Sequence, residues 1–234
     1  MNDNPVWQAA TLILPMVLAI VCHEVAHGLV ARMLGDHTAQ ERGRLTLNPL
    51  PHVDPIGTVI LPGLLALAHL PVFGWAKPVP IDARRLRHPR SGMMLVAAAG
   101  PAMNLALAAL AAVLLGAVSA LAPEHPDPWS LVAFTADNLQ NFIAVNLFLA
   151  LFNLLPVPPF DGSHIVEGAL PRRAAIAYAQ LRRFALPLAL LLIVILPRIA
   201  PGFSLIDRWV LPPFTWAMGA AITLADMTAR LVGG

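Results

Sequence analysis

Residues 6–34 read VWQAATLILPMVLAIVCHEVAHGLVARML, an apolar run with His23, Glu24 and His27 inside little more than one helical turn of it. A run of this length fits a membrane span, which needs about 17–25 residues at 1.5 Å rise each. An ionisable group near the bilayer centre costs at least about 2.5–3.5 kcal/mol on insertion scales, so three together need a compensating partner. A metal ion is such a partner. His23 and His27 are four apart and share one helix face, so both imidazoles can reach one ion. The H-E-x-x-H spacing is that of a zinc-protease helix, in which the glutamate acts as general base on a water.

The composition agrees with a membrane setting. Apolar residues make up 58% of the 234 and charged residues 12%, against about 45–50% and 25% in soluble domains. A disordered chain, a coiled coil and an ordinary soluble globule are excluded. The expectation is an all-α polytopic membrane protein forming one domain over 1–234. The lone cysteine, Cys22, excludes a disulfide within the chain. The basic excess is almost all arginine and reads as topology rather than nucleic-acid binding. The first basic residue is Arg32, so the start lacks the basic region of a signal peptide and the first apolar segment is expected to stay in the mature protein.

Further apolar segments cover 56–70, 93–121, 131–155, 184–196 (long enough only from about 174) and 205–231. About five to six transmembrane helices are expected. Segment 56–70 is too short to cross and holds Pro62. Basic residues concentrate between Arg32 and Arg90 and again at Arg172, Arg173, Arg182 and Arg183, whereas 122–130 has none. The positive-inside rule places 32–90 and 156–183 in the cytoplasm and the N-terminus outside, provided 56–70 dips in and returns.

A zinc site needs a third protein ligand. Asp161, in the loop NLLPVPPFDG just past segment 131–155, is the candidate; the same topology brings it to the depth of His23 and His27. An aspartate ending a helix in an aqueous turn is the plain alternative.

HEVAH within a span, then NPLPHVDPIGT, FGWAKPVP, GPAMN and NLLPVPPFDG together resemble the site-2 protease family of intramembrane zinc metalloproteases, over about residues 12–165. The resemblance implies a three-helix catalytic core within 6–165, with accessory spans over about 174–232. It implies Zn2+ held by His23, His27 and Asp161, Glu24 as catalytic acid/base, and Asn153 as a residue binding the substrate carbonyl. It also implies hydrolysis of peptide bonds in single-span membrane proteins, in the cell membrane, with the site toward the cytoplasm. No inserted PDZ or cystathionine-synthase-type domain is visible, and no nucleic-acid partner is expected. Asn146 and Asn104 read as interhelical hydrogen-bonders, Asn104 also as a support of the site.

Leu45-Thr46-Leu47 and Val72-Phe73 read as short extended runs and predict a small β-hairpin or sheet at the membrane surface, whose edge can receive an unwound substrate. Trp75 beside Lys77 suits an interfacial anchor. His52 and Cys22 need no role beyond a loop contact and packing, and His164 carries no signal beyond lying close to Asp161. Two other readings stay open: a membrane metal-ion transporter, and a catalytically inactive scaffold of the same fold.

Overall fold

The structure, a computed structural model, describes residues 4–67, 74–123, 127–200 and 202–234. Its first helix, α1 (Pro5–Met33), begins where Asn4 Oδ1 accepts from the N–H groups of Val6 and Trp7, with Pro5 at the first helical position. Then come α2 (Pro89–Leu121), α3 (Leu131–Asn153), α4 (Asp161–Ala169), α5 (Arg172–Ile199, tightened over Gln180–Phe184) and α6 (Leu211–Gly233). Ser130 caps α3 by accepting from Ala133 N.

Three of these, α1, α2 and α5, are long and apolar enough to cross a membrane. That is fewer than the five to six expected. α3 and α6 have 23 residues each, about 35 Å at 1.5 Å per residue, but both are diluted by polar groups. In α3 several of those groups point at neighbours. Asp137 Oδ2 accepts from Trp7 Nε1 at 2.8 Å, and Asn141 Nδ2 donates to Thr11 O at 3.0 Å.

α2 is the centre of the bundle, in contact with α1, α3, α4 and α6. Ala108, Ala111, Ala112 and Leu115 meet Ile143 and Leu147 of α3 and Ala221 and Ala225 of α6. Small residues let helix backbones approach where lipid gives no hydrophobic drive to associate. Gly116 is the closest case: a Cβ there would lie 2.2 Å from Ala225 O. α5 lays Ala189, Ile193 and Val194 over Leu155 and Phe160, covering the loop that leads into α4.

Between α1 and α2 the chain makes an excursion. Helical turns Pro55–Ile60 and Leu61–Leu67 rise about 20 Å, short of a bilayer core of about 30 Å. By Trp75 the chain is back beside its starting point: Trp75 N donates to Gly57 O at 3.1 Å and Lys77 N to His52 O at 2.8 Å. Gly57 and Trp75 therefore lie side by side, the arrangement expected of a segment that dips in and returns. The expected sheet is not seen. Among the described residues there is no strand, and 45–47 runs irregularly; Val72–Phe73 and residues 68–70 lie outside the described residues. The strap 74–82 is extended but hydrogen-bonds to helical turns, and Pro78 and Pro80 remove donors that a ladder would use.

Candidate metal centre

His23 and His27 project from one face of α1 and are each 7% exposed. Asp161 arrives as the first residue of α4. The loop before it folds so tightly that a Cβ on Gly162 would lie 2.2 Å from Leu154 O, which accounts for the glycine after the aspartate. His23 Nε2 lies 3.0 Å from His27 Nε2, and Asp161 Oδ2 lies 3.1 Å from the first and 3.3 Å from the second. Donors of a tetrahedral zinc ion at 2.0–2.1 Å stand about 3.3–3.4 Å apart, so the triangle has close to the required size.

The hydrogen-bond network fixes what these atoms offer. His27 Nδ1 is 2.7 Å from Val96 O, which only accepts, so the proton of a neutral ring sits on Nδ1. Asn104 Nδ2 donates to Ala19 O and, at 2.7 Å, to Asn146 Oδ1, while Asn146 Nδ2 donates to Phe142 O. Asn104 Oδ1 is thereby the atom facing His23 Nδ1 at 2.6 Å, and that nitrogen also carries its proton. Both Nε2 lone pairs then point at the Asp161 oxygen, which has no hydrogen-bond donor although buried. Three acceptors aimed at one another need a cation between them. Outer partners that hold the far ring nitrogen in this way are the usual support of zinc histidines.

Asn104 and Asn146 are fully buried and bond across helices, as expected, with Asn104 also supporting the site. One further contributor opens the GPAMN stretch, which gives it no role on its own. A Cβ on Gly100 of α2 would lie 2.5 Å from His23 Cε1 and His27 Nε2, so only glycine leaves room for the two rings.

Glu24 Oε2 accepts from Val79 N at 2.8 Å. The strap carrying Val79 is fastened from several sides. Arg44, 8% exposed, donates through Nη2 to Lys77 O at 2.7 Å. Gly28 of α1 leaves room for Leu45 and Val79. Asp36 Oδ2 accepts from Asp82 N at 2.7 Å. Burial opposes the charge on Asp36, but hydrogen bonds from Thr38 and Asp82 and the nearby Arg85 hold its carboxyl below the usual carboxylate range.

Asn153 closes α3 and its Nδ2 donates to Leu149 O of its own helix at 2.9 Å, rather than to the metal-site residues. His52 is buried in the loop, 3.0 Å from Thr46 O, and holds the strap through Lys77 N. Trp75 is partly exposed and lies against Gly57. Cys22 is half-buried.

Residues 127–196 match the family model described as Peptidase family M50. Among curated proteins, "Putative zinc metalloprotease YwhC" of Bacillus subtilis is 42% identical over 163 residues, covering 68% of this chain and 69% of its own. "Putative zinc metalloprotease Rip2" of Mycolicibacterium smegmatis is 32% identical over 202 residues, covering 86% and 70%. The protein of that name in Mycobacterium tuberculosis H37Rv is 34% identical over 200 residues, covering 83% and 70%. No solved structure matches the chain.

Proposed function

The chain belongs to peptidase family M50, and from that premise we propose that it is an intramembrane zinc endopeptidase cleaving single-span membrane proteins. The observation that carries this reading is the convergence of His23 Nε2, His27 Nε2 and Asp161 Oδ2, within 3.0–3.3 Å of one another, beside a glutamate. Zinc held by these residues supplies a Lewis acid that makes water nucleophilic near neutral pH.

The rest is the work of the chain. Asn104 and Val96 hold the imidazoles with their lone pairs inward. Glu24 takes the proton of the attacking water and delivers it to the leaving nitrogen. The Val79 N–H steadies Oε2 of that carboxylate, which leaves Oε1 for the proton. Asn153 donates to the scissile carbonyl once its amide leaves Leu149 O. Elemental analysis should find one zinc per chain, and a His23→Ala/His27→Ala variant should lose both the metal and cleavage of a single-span test substrate. Unchanged zinc in that variant would sink the assignment. In the same assay Asn153→Ala should keep zinc and lose most cleavage; a normal rate removes its role.

The basic residues favour a cytoplasmic location for the strap and for α4, in the cell membrane. In intact cells lacking Cys22 (Cys22→Ser), Arg84→Cys should resist an impermeant thiol reagent and Asp127→Cys should react. The opposite pattern means that the orientation is reversed or that the excursion 55–75 crosses; labelling of both means that α2 does not separate them.

A further inference from the structure

The first turn of α4 carries a second side chain directed by the fold. Asp161 and His164 are three residues apart, so they neighbour each other on the helix surface with Cβ atoms about 5–6 Å apart. Because Asp161 Oδ2 meets both α1 histidines, His164 flanks the metal centre.

Its ring has no free choice of tautomer. Arg182 Nη2 lies 3.1 Å from His164 Nδ1, and a guanidinium only donates. Nδ1 therefore holds the lone pair and Nε2 the hydrogen. Arg182 is kept in place by an ion pair with Glu167, one turn further along α4, which also offsets its charge. Burial and then Arg182 hold the His164 pKa below its ordinary value, against the opposing pull of Glu167 and Asp161, while His27 lowers it further. The ring is neutral near pH 7. Among the described residues none accepts from its Nε2–H.

We propose that His164 is a catalytic residue that donates its Nε2–H to the oxygen of the scissile carbonyl, with Arg182 and Glu167 as positioning residues that lock the tautomer. This rests on the proteolytic reading above. A carbonyl carbon under attack gathers negative charge on its oxygen, and a preorganised donor stabilises that charge most when it needs no reorientation. A neutral imidazole does this without setting a second cation beside the metal. It also needs no existing bond to break, unlike the amide of Asn153.

The full-length protein in lipid vesicles, with a single-span test substrate, is assayed as wild type, Glu24→Gln, His164→Gln and His164→Met. Both His164 replacements fill space, but only glutamine can present an N–H near the position of Nε2. His164→Met should lower kcat about 10²–10³-fold with KM, zinc content and thermal midpoint unchanged, and His164→Gln should recover part of the loss. Affinity for a phosphinic peptide, whose tetrahedral oxygens copy the addition step, should fall with kcat in His164→Met. Arg182→Met should slow the wild type and add nothing to His164→Met. Normal cleavage by His164→Met beside an inactive Glu24→Gln overturns the donor role alone. So do zinc loss or unfolding in His164→Met, or a glutamine variant as slow as the methionine one. Cleavage by the wild type no faster than in vesicles without the protein overturns the proteolytic reading, and the donor role with it.

Discussion

Glu24→Gln is expected to keep one zinc per chain and to lower cleavage by about 10²–10⁴-fold, the usual contribution of a positioned acid/base. The substitution is nearly isosteric. The new amide oxygen still accepts from Val79 N, whose bond to Oε2 is 2.8 Å in the wild type, so the strap keeps its seat. What disappears is the capacity to take up a proton. The ligand triangle of His23, His27 and Asp161 is untouched. Zinc content and single-turnover cleavage measured on one preparation decide the matter: undiminished cleavage removes Glu24 from the chemistry, and lost metal makes it a structural group. A metal-ion transporter would keep its transport without this proton carrier, so the same variant separates the two activities.

Gly100→Ala should nearly abolish zinc binding and, because the added carbon overpacks the two rings, lower stability by about 1–3 kcal/mol. In most helices this change is favourable by roughly 0.5–1 kcal/mol. Here the added carbon would lie 2.5 Å from His27 Nε2 and 2.6 Å from His23 Nε2. Neither ring can retreat, because each Nδ1 is held, by Asn104 on one side and Val96 O on the other. The expected loss in chelator competition exceeds the about 10–100-fold that follows removal of an outer partner. Gly219→Ala on α6, where a Cβ would meet nothing within 4 Å, is the control and should leave zinc unchanged. A zinc affinity in Gly100→Ala equal to that control would show that the rings can be rebuilt around the methyl group.

The parts of this site that sequence reveals are those with a local signature. His23 and His27 are legible because a spacing of four is one face of a helix. Asp161 is legible because the charge pattern brings its loop to the same depth. Gly100 and Val79 fall within the stretches GPAMN and FGWAKPVP, but their roles, like that of Arg44, act through a neighbour more than 30 positions away and show only in the folded chain. His164 was near enough to Asp161 to be noticed, but its tautomer depends on Arg182, which only the folded chain brings up. The surface sheet is not seen at 45–47, where Pro49 and Pro51 follow closely, and its other run, Val72–Phe73, lies outside the described residues. Length and composition single out α1, α2 and α5 as candidate spans, whereas α3 is tied to its place by polar groups such as Asp137 and Asn141, matched to partners on α1.

The central position of α2 bears on how inherited or selected variants of this protein should be sorted. The helix donates no ligand atom, yet it meets α1, α3, α4 and α6, and Ala108, Ala111 and Ala112 on it are at most 1% exposed. A conservative-looking exchange of alanine for valine there adds two methyl groups where neighbouring backbones nearly touch, and overpacking of this kind typically costs about 1–3 kcal/mol. Ranking substitutions by distance from the histidines would pass such changes as harmless. Ranking them by whether they thicken α2 would find them, and would group them with losses of the metal rather than with neutral drift on the lipid-facing surface.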